Sequence, residues 1–266
     1  MEQTNTERRV SYDVFGTYKQ DEINGFDQEF IFDFIRRCQI GENDKVLDAM
    51  AGDGNLSEKI SFLHPEVVLT TTDISSVQCS FAEKKLGKKS RVICADLLED
   101  KLFNEEFDVI VIKSGSHEIS LAKQKTLFSQ LFKALKPGGR LINLGILFDE
   151  AACRDEVFTL NEYRSKLAGI EEDIQNRHFL LRDEFYSILK EVGFDPIQSL
   201  KNFHYHIDMG ILSREYFANS LEKRVMMNGI VVELKNLRRK HLAVLEENFV
   251  VRMPGELTEM RKPIYN

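Results

Sequence analysis

Acidic residues and glycines come together at one turn early in the chain, in the segment 46–55 with the sequence VLDAMAGDGN. A short apolar run ends at Asp48, a turn of small residues follows, and Gly52 and Gly54 close that turn. A helical pattern of apolar residues begins directly after it. A strand, a tight turn and a helix start would place free backbone N–H groups beside a surface that lacks Cβ atoms. The segment therefore predicts a site for a nucleotide-like cofactor.

Two further carboxylates follow the next two apolar runs, Asp73 after the run 67–72 and Asp96 after the run 91–95. A carboxylate at the end of the second strand can accept hydrogen bonds from both hydroxyls of a ribose. A carboxylate at the end of the third strand can accept one from the amine of an adenine ring. Each residue also has a plainer interpretation, with Asp48 as a helix cap, Asp73 as the start of a turn and Asp96 as an ordinary loop residue. Their recurrence at matching strand ends favours the binding interpretation.

The fourth apolar run, 107–112, ends in a polar loop that contains Lys113, Ser114 and His117. This loop would lie at the same sheet edge, where open α/β sheets bind their ligands. Imidazole titrates near neutral pH, so His117 is the candidate general base for an acceptor that must lose a proton, with Glu118 beside it to orient the ring. The alternatives are that His117 only contacts the substrate or faces solvent, and that Glu118 is solvated.

Two histidines and an aspartate alternate near position 205. On a strand, His204, His206 and Asp208 would share one face. Two histidines and a carboxylate can hold a divalent metal ion. Three polar residues on one face of a strand are more often its solvent-exposed side, so we expect no metal site.

Taken together, five segments resemble those of class I S-adenosylmethionine (SAM)-dependent methyltransferases, in the order and at the spacing of that family. They are VLDAMAGDG, TTTDIS, ICADL, FDVIVIKSGSHEI and LFKALKPGGRLINLGI, within residues 44–148. One departure stands at Met50, where the family usually has glycine; we expect Met50 to hold an ordinary φ, or the tail of the cofactor to sit slightly differently. The resemblance implies SAM as cofactor, S-adenosylhomocysteine (SAH) as product and in-line displacement at the methyl group.

The cofactor-binding residues expected from the motifs and the resemblance share a position at the ends of the first four strands. They are Asp48, Ala49, Met50, Ala51, Gly52, Gly54, Asp73, Ile74, Asp96, Leu97, Lys113 and Ser114. The residues expected to bind the acceptor are mostly aromatic residues of the regions that would cover the sheet edge, together with the candidate base. They are Tyr12, Phe15, Tyr18, His117, Tyr163 and Tyr216, although the aromatic side chains could instead only pack the cover onto the core.

Strands and helices must alternate to bring these residues to one edge. The strand candidates at 45–48, 67–73, 91–95, 107–112 and 140–147 are continuously apolar, which is typical of a parallel sheet covered on both faces. We expect a three-layer α/β Rossmann-like fold with helical lid insertions, and the resemblance implies a mostly parallel sheet of seven strands whose last strand is antiparallel. The expected divisions are an arm and helix at 1–40, the cofactor-binding core at 41–148, and the last strands with the lid at 149–266.

The composition is that of an ordinary soluble protein, with 42% hydrophobic and 30% charged residues and a net charge of −7. This charge disfavours nucleic acid as substrate. Four widely spaced cysteines suggest buried free thiols in the cytoplasm, and we expect neither a leader peptide nor a membrane span. The sequence thus predicts a methyltransferase for a small-molecule acceptor. A protein or RNA methyltransferase and a non-catalytic SAM-binding protein are the alternatives, and neither the acceptor atom nor the oligomeric state is indicated.

Overall fold

Eight strands organise the protein in a computed structural model that describes residues 20–99, 102–169, 177–217, 220–236 and 250–264. Short apolar runs with few turn-forming residues form these strands, as the sequence predicts. The strands are β1 (Lys45–Ala49), β2 (Val68–Asp73), β3 (Arg91–Cys94), β4 (Phe107–Lys113), β5 (Leu135–Phe148), β6 (Leu180–Leu181), β7 (Ile197–Asp208) and β8 (Val250–Arg261).

The order of the strands in the sheet is β3-β2-β1-β4-β5-β8-β7, with the two-residue β6 paired beside β5. Strands β1 to β5 are parallel to one another, and β8 is antiparallel to both β5 and β7. The expected mostly parallel fold with an antiparallel last strand is therefore confirmed. The strand order reverses between β1 and β4, and such a point opens a crevice at the carboxyl edge of a parallel sheet.

Helices cover both faces of the sheet. Alternate residues of β4 show why: Val109 and Val111 belong to one buried cluster, and Ile110 and Ile112 belong to the other. The helices are α1 (Gln20–Ile23), α2 (Gln28–Arg37), α3 (Asn55–Leu63), α4 (Ser76–Leu86), α5 (Leu121–Ala134), α6 (Ala151–Ala168), α7 (Arg182–Val192), α8 (Met209–Tyr216) and α9 (Leu221–Asn236). None of these helices has the length and the apolar character needed to cross a membrane.

Helix α9 runs through Gly229 without a break, because one glycine costs a helix only about 1 kcal/mol and packing, here of the buried Met227, outweighs it. The last strand, β8, is a single strand over Val250–Arg261. Its length follows from pairing with strands on both sides.

Candidate functional site

A cavity of about 180 Å³ opens at the carboxyl ends of β1 to β4. We call it the first cavity. Ten of the twelve residues that the sequence predicts for cofactor binding line it, and they come from four separate strand ends. They are Asp48, Met50, Ala51, Gly52, Asp73, Ile74, Asp96, Leu97, Lys113 and Ser114.

The other two predicted residues do not line the first cavity, although both lie beside it. Ala49 is fully buried in the core between the sheet and the helices. Gly54 precedes α3 with a φ of 77°, and a Cβ there would lie 3.1 Å from the side chains of Ala82 and Leu86. Gly54 therefore allows α3 and α4 to pack closely, which is a structural role.

Met50 adopts a left-handed conformation, with a φ of 58°. The expectation of an ordinary φ is wrong, because the tight turn after β1 imposes this conformation whatever residue is present. A Cβ on Gly115 would lie only 2.9 Å from the Met50 Cβ, so the glycine in the β4 loop leaves the room that the methionine side chain fills. Ser114, next to that glycine, has a φ of 56°. Strained residues of this kind cluster at functional sites.

Asp73 fixes the glycine turn from the neighbouring strand. Its Oδ2 atom accepts a hydrogen bond from the Gly52 N–H at 2.8 Å, and its Oδ1 atom accepts one from the Ser75 N–H at 2.9 Å. A carboxylate oxygen can accept more than one hydrogen bond. Asp73 can therefore hold the turn and still bind a ligand hydroxyl.

Asp48 begins a chain of buried polar groups beneath the turn. Its Oδ2 atom accepts from the Ser57 hydroxyl at 2.7 Å, and Ser57 lies 2.7 Å from the Thr71 hydroxyl, which lies 2.7 Å from that of Ser90. Burial raises the pKa of the Asp48 carboxyl to about 7, although the hydrogen bond from Ser57 and the charge of Lys113 lower it. Asp48 is thus a carboxyl group whose burial is largely uncompensated, and it lies in the floor of the first cavity. It does not cap a helix.

Asp21, in α1, closes one side of the first cavity. Its carboxylate accepts from Lys113 Nζ at 2.6 Å, from Asn55 Nδ2 at 2.8 Å and from Lys59 Nζ at 3.2 Å. Burial raises the pKa of Asp21, but the two lysines together hold it below its usual value. Sequence reasoning missed Asp21 because an isolated acidic residue in a polar arm carries no pattern that would single it out.

A second, largely apolar cavity of about 100 Å³ lies next to the first. Ser114, Glu118 and Arg177 line both cavities and form the boundary between them. The remaining lining residues come from many separate parts of the chain: Ile23, Asn24, His117, Ile146, Val157, Leu160, Asn161, Arg164, Phe179, Tyr205, Ile207, Met209, Leu212, Met227, Val251 and Met253.

Polar groups at the boundary are tightly held. The Arg177 Nε–H donates to Glu118 Oε2 at 2.6 Å, and His117 Nε2 lies 3.3 Å from Glu118 Oε1. Burial raises the pKa of Glu118, but Arg177 and His117 outweigh this effect and lower it to about 2. Only 16% of the Glu118 side chain is exposed, so the expectation that it is solvated is wrong. Glu118 can be buried because Arg177, which is distant in the sequence, compensates the charge of its carboxylate.

His117 and Tyr205 turn toward the second cavity. The His117 ring stacks on Phe179 at a centroid distance of 5.1 Å, and its buried Nδ1 atom has no hydrogen-bond partner among the described residues. The buried Tyr205 hydroxyl lies 3.0 Å from the Ser114 hydroxyl. The arrangement offers an unsatisfied nitrogen and two hydroxyls to a molecule in the second cavity.

Comparison with known proteins agrees with this geometry. Residues 46–139 match the model of a family described as a methyltransferase domain. The chain carries a methyltransferase domain. The resemblance predicted from the five sequence segments is thereby confirmed, and the matched residues include the ends of β1 to β4 and the first cavity's glycine turn.

One curated relative of this methyltransferase domain protein is the mitochondrial 2-methoxy-6-polyprenyl-1,4-benzoquinol methylase of Caenorhabditis elegans. It is 22% identical over 62% of this chain and 63% of its own length. The first relatives found are each matched over less than two thirds of their own length.

Two solved structures share the fold. The YcgJ protein of Bacillus subtilis is 14% identical, with a TM-score of 0.73 over 89% of this chain and 99% of that one. Phosphoethanolamine N-methyltransferase 2 of Haemonchus contortus, in complex with phosphomonomethylethanolamine and SAH, is 17% identical, with a TM-score of 0.62 over 98% of this chain and 58% of that one.

Of the aromatic residues predicted to bind the acceptor, only Tyr163 has a side chain within the described part of the chain. Tyr163 packs against the core, while Leu160 and Arg164 of the same helix line the second cavity. Tyr12, Phe15 and Tyr18 lie outside the described residues, and Tyr216 is described only in its backbone, in α8. The aromatic residues found in the second cavity, Phe179 and Tyr205, follow no motif and were missed.

The surroundings of His204, His206 and Asp208 in β7 differ from those of metal ligands. The Asp208 Oδ1 atom accepts from the Ile211 N–H at 2.8 Å and caps α8. The rings of His204 and His206 are 6.4 Å apart. Across the described ranges, no three His, Cys, Asp or Glu side chains stand close enough to hold a metal ion.

Proposed function

We propose that the protein is an enzyme that transfers a methyl group from SAM to a small, largely apolar acceptor. The observation that carries this proposal is the junction of two cavities at Ser114, Glu118 and Arg177, beside the methyltransferase domain's glycine turn. Methyl transfer requires two different molecules to meet in line, because the methyl group passes directly from sulfur to the acceptor atom.

The first cavity is the proposed cofactor site. Asp73 would accept from the ribose hydroxyls, and Asp96 would accept from the adenine amine. Ile74 and Leu97 would flank the adenine ring, and Lys113 would face the carboxylate of the methionine tail. The complex of the structurally similar Haemonchus contortus enzyme with SAH supports this choice of cofactor.

The second cavity is the proposed acceptor site. Its mostly aliphatic and aromatic lining favours an acceptor with an apolar body. The C. elegans relative, named for a polyprenyl benzoquinol, supports a small-molecule acceptor. In this proposal, residues 41–148 bind the cofactor, while the region 1–40 and the region 149–266 supply most of the acceptor site.

The chemistry requires little from the protein besides alignment, since the sulfonium supplies a good leaving group when SAM is bound. We assign the proton of the His117 ring to Nε2, which faces Glu118 Oε1, so that Nδ1 is left as the proton acceptor. Glu118 and Arg177 are then positioning residues, because Glu118 holds the ring and Arg177 holds Glu118. His117 would take a proton from an acceptor hydroxyl or amine as the methyl group arrives.

The direct test is an acceptor screen with SAM labelled at its methyl carbon and the full chain. The panel contains demethylated quinols, phenols, aliphatic amines, a mixed protein extract and RNA, and both SAH formation and label in the acceptor are measured. We expect transfer to a small apolar member that depends on Asp73. Transfer to protein or RNA alone would contradict the small-molecule proposal, and tight SAM binding with no transfer to any class would indicate a non-catalytic protein.

A further inference from the structure

Two cysteines lie side by side directly behind the first cavity. Cys79 is in α4 and Cys94 ends β3, where it pairs with Asp73 of β2, and the two thiols are close enough for Cys94 to raise the pKa of Cys79. Both thiols donate to successive backbone carbonyls: Cys79 Sγ to Asp73 O at 3.5 Å, and Cys94 Sγ to Ile74 O at 3.6 Å. The sequence-based expectation of buried thiols holds for Cys79 but not for Cys94, which is exposed.

The backbone around the two thiols is the wall of the first cavity. Gln78 and Ala95, the chain neighbours of Cys79 and Cys94, both line it, as do Asp73 and Asp96. The Ala95 N–H donates to Asp73 O at 2.9 Å, so the ends of β2 and β3 are joined at this point. A change in the spacing of the two sulfur atoms therefore acts on the residues proposed for the ribose and the adenine.

We propose that Cys79 and Cys94 are a reversible oxidation site, at which hydrogen peroxide closes a disulfide that weakens SAM binding. The inference rests on the proposed function for its effect on SAM, but the disulfide itself does not depend on that function. A disulfide requires sulfur atoms about 2.05 Å apart, much closer than two thiols that are not bonded to each other. Its formation would draw α4 and the end of β3 together and displace the wall between them.

Hydrogen peroxide is the oxidant that accepts the two electrons released when the disulfide forms. The Cys94 thiolate, which is exposed to solvent, attacks one peroxide oxygen, giving a sulfenic acid and a hydroxide that takes up a proton to form water. The Cys79 sulfur then attacks the Cys94 sulfur, the S–O bond breaks, and a second water leaves. Two electrons pass from the two thiols to the peroxide.

The positions of the two thiols suit this order of events. Burial raises the pKa of the Cys79 thiol, and the neighbouring Cys94 raises it further, so Cys79 stays protonated until its partner is oxidised. The other two thiols are placed differently. The Cys38 Sγ donates to the carbonyl of Phe34 in its own helix, and Cys153 lies partly buried in α6.

The test treats the reduced full-length protein with hydrogen peroxide, maps disulfides by mass spectrometry of peptides, and measures SAM affinity by calorimetry before and after treatment. We expect a Cys79–Cys94 disulfide and about tenfold weaker SAM binding, the loss of about one hydrogen bond, with recovery after dithiothreitol. Cys94→Ser is expected to bind SAM as the reduced protein does and to be insensitive to peroxide, whereas Cys153→Ser is expected to remain sensitive.

Other outcomes would overturn either the oxidation site or the proposed function. No Cys79–Cys94 disulfide in the peptide map, or a disulfide with unchanged SAM affinity, overturns the oxidation site while leaving the methyltransferase proposal in place. Loss of affinity that persists in Cys94→Ser also overturns it, since another group would then be responsible. A reduced protein that binds no SAM refutes the proposed function, and with it the effect inferred for the disulfide.

Discussion

The two cavities are built in different ways, although Ser114, Glu118 and Arg177 belong to both. The first cavity is made by four adjacent strand ends, by backbone in unusual conformations and by carboxylates that hold that backbone in place. The second is made by side chains from α1, β5, β7, β8, α6, α8 and α9 and from the segments that follow β4 and precede β6, with no dominant element. The first cavity therefore owes its shape to the sheet, and the second owes its shape to packing.

This difference predicts how each cavity responds to change. A substitution in the first cavity should affect the affinity for SAM and the stability of the turn. A substitution in the second should affect turnover and leave SAM binding intact. Mixed behaviour at either cavity would show that the two are not separate in function.

The largest effect is expected at His117, on the acceptor side of the boundary. His117→Ala should lower turnover by about a hundredfold or more, because the proton acceptor is lost, with SAM affinity unchanged. Steady-state turnover and calorimetry measure the two quantities, and His204→Ala, an exposed histidine of β7, is the matched control. Equal turnover in the two variants would remove His117 from the mechanism.

Asp73 should give the converse result in the first cavity. Asp73→Ala removes the ribose contact and the partner of the Gly52 N–H, and we expect SAM affinity to fall by about tenfold to a hundredfold. Glu66→Ala, an exposed carboxylate, is the control for charge. If calorimetry showed the same SAM affinity for Asp73→Ala as for wild type, the second strand end would not be the ribose site.

Asp48 should make stability depend on pH. The folded protein holds the Asp48 proton up to about pH 7, whereas the unfolded chain releases it near the ordinary carboxyl pKa of 3.8, so the free energy of unfolding falls as pH rises between these values. Asp48→Asn removes this contribution. Urea unfolding between about pH 5 and about pH 7.5 should show the variant losing less stability than wild type, by about 1 kcal/mol or more. Parallel curves would show that Asp48 is ionised throughout.

Met50 should show the smallest effect. Its left-handed φ suits glycine, so Met50→Gly should be about 1 kcal/mol more stable to urea than Met50→Ala, which keeps the unfavourable Cβ and loses the same side chain. The comparison of the two variants cancels the lost packing on Gly115. Equal unfolding midpoints would mean that the turn relaxes around the Cβ.

The difference between the two cavities also explains which features of the site could be predicted from the sequence. Asp48, Asp73 and Asp96 follow apolar runs, and because parallel strands end at one edge, their meeting could be predicted without coordinates. The ion pair between Glu118 and Arg177 could not, since it joins separate loops and no local pattern relates them. The same holds for Asp21 with Lys113 and for Tyr205 with Ser114, whose contacts depend on how the arm and β7 pack against the β4 loop.

Ala49 and Gly54 show a second limit. Both belong to the turn proposed to bind the cofactor, but a motif does not distinguish the residues that line a cavity from those that support them. The close approach of Ala82 and Leu86 to Gly54 requires knowledge of how α3 and α4 pack. The place of the turn at the sheet edge could be predicted, whereas the division of its residues into cavity-lining and packing residues required the structure.

The central claim is that the first cavity binds SAM, and titration calorimetry of the reduced full-length protein tests it most directly. SAM, SAH and NAD are titrated separately into wild type and into Asp73→Ala. We expect micromolar affinity of wild type for SAM and SAH, clearly weaker binding by Asp73→Ala, and no heat with NAD. Binding of NAD with no heat from either SAM or SAH would contradict the account.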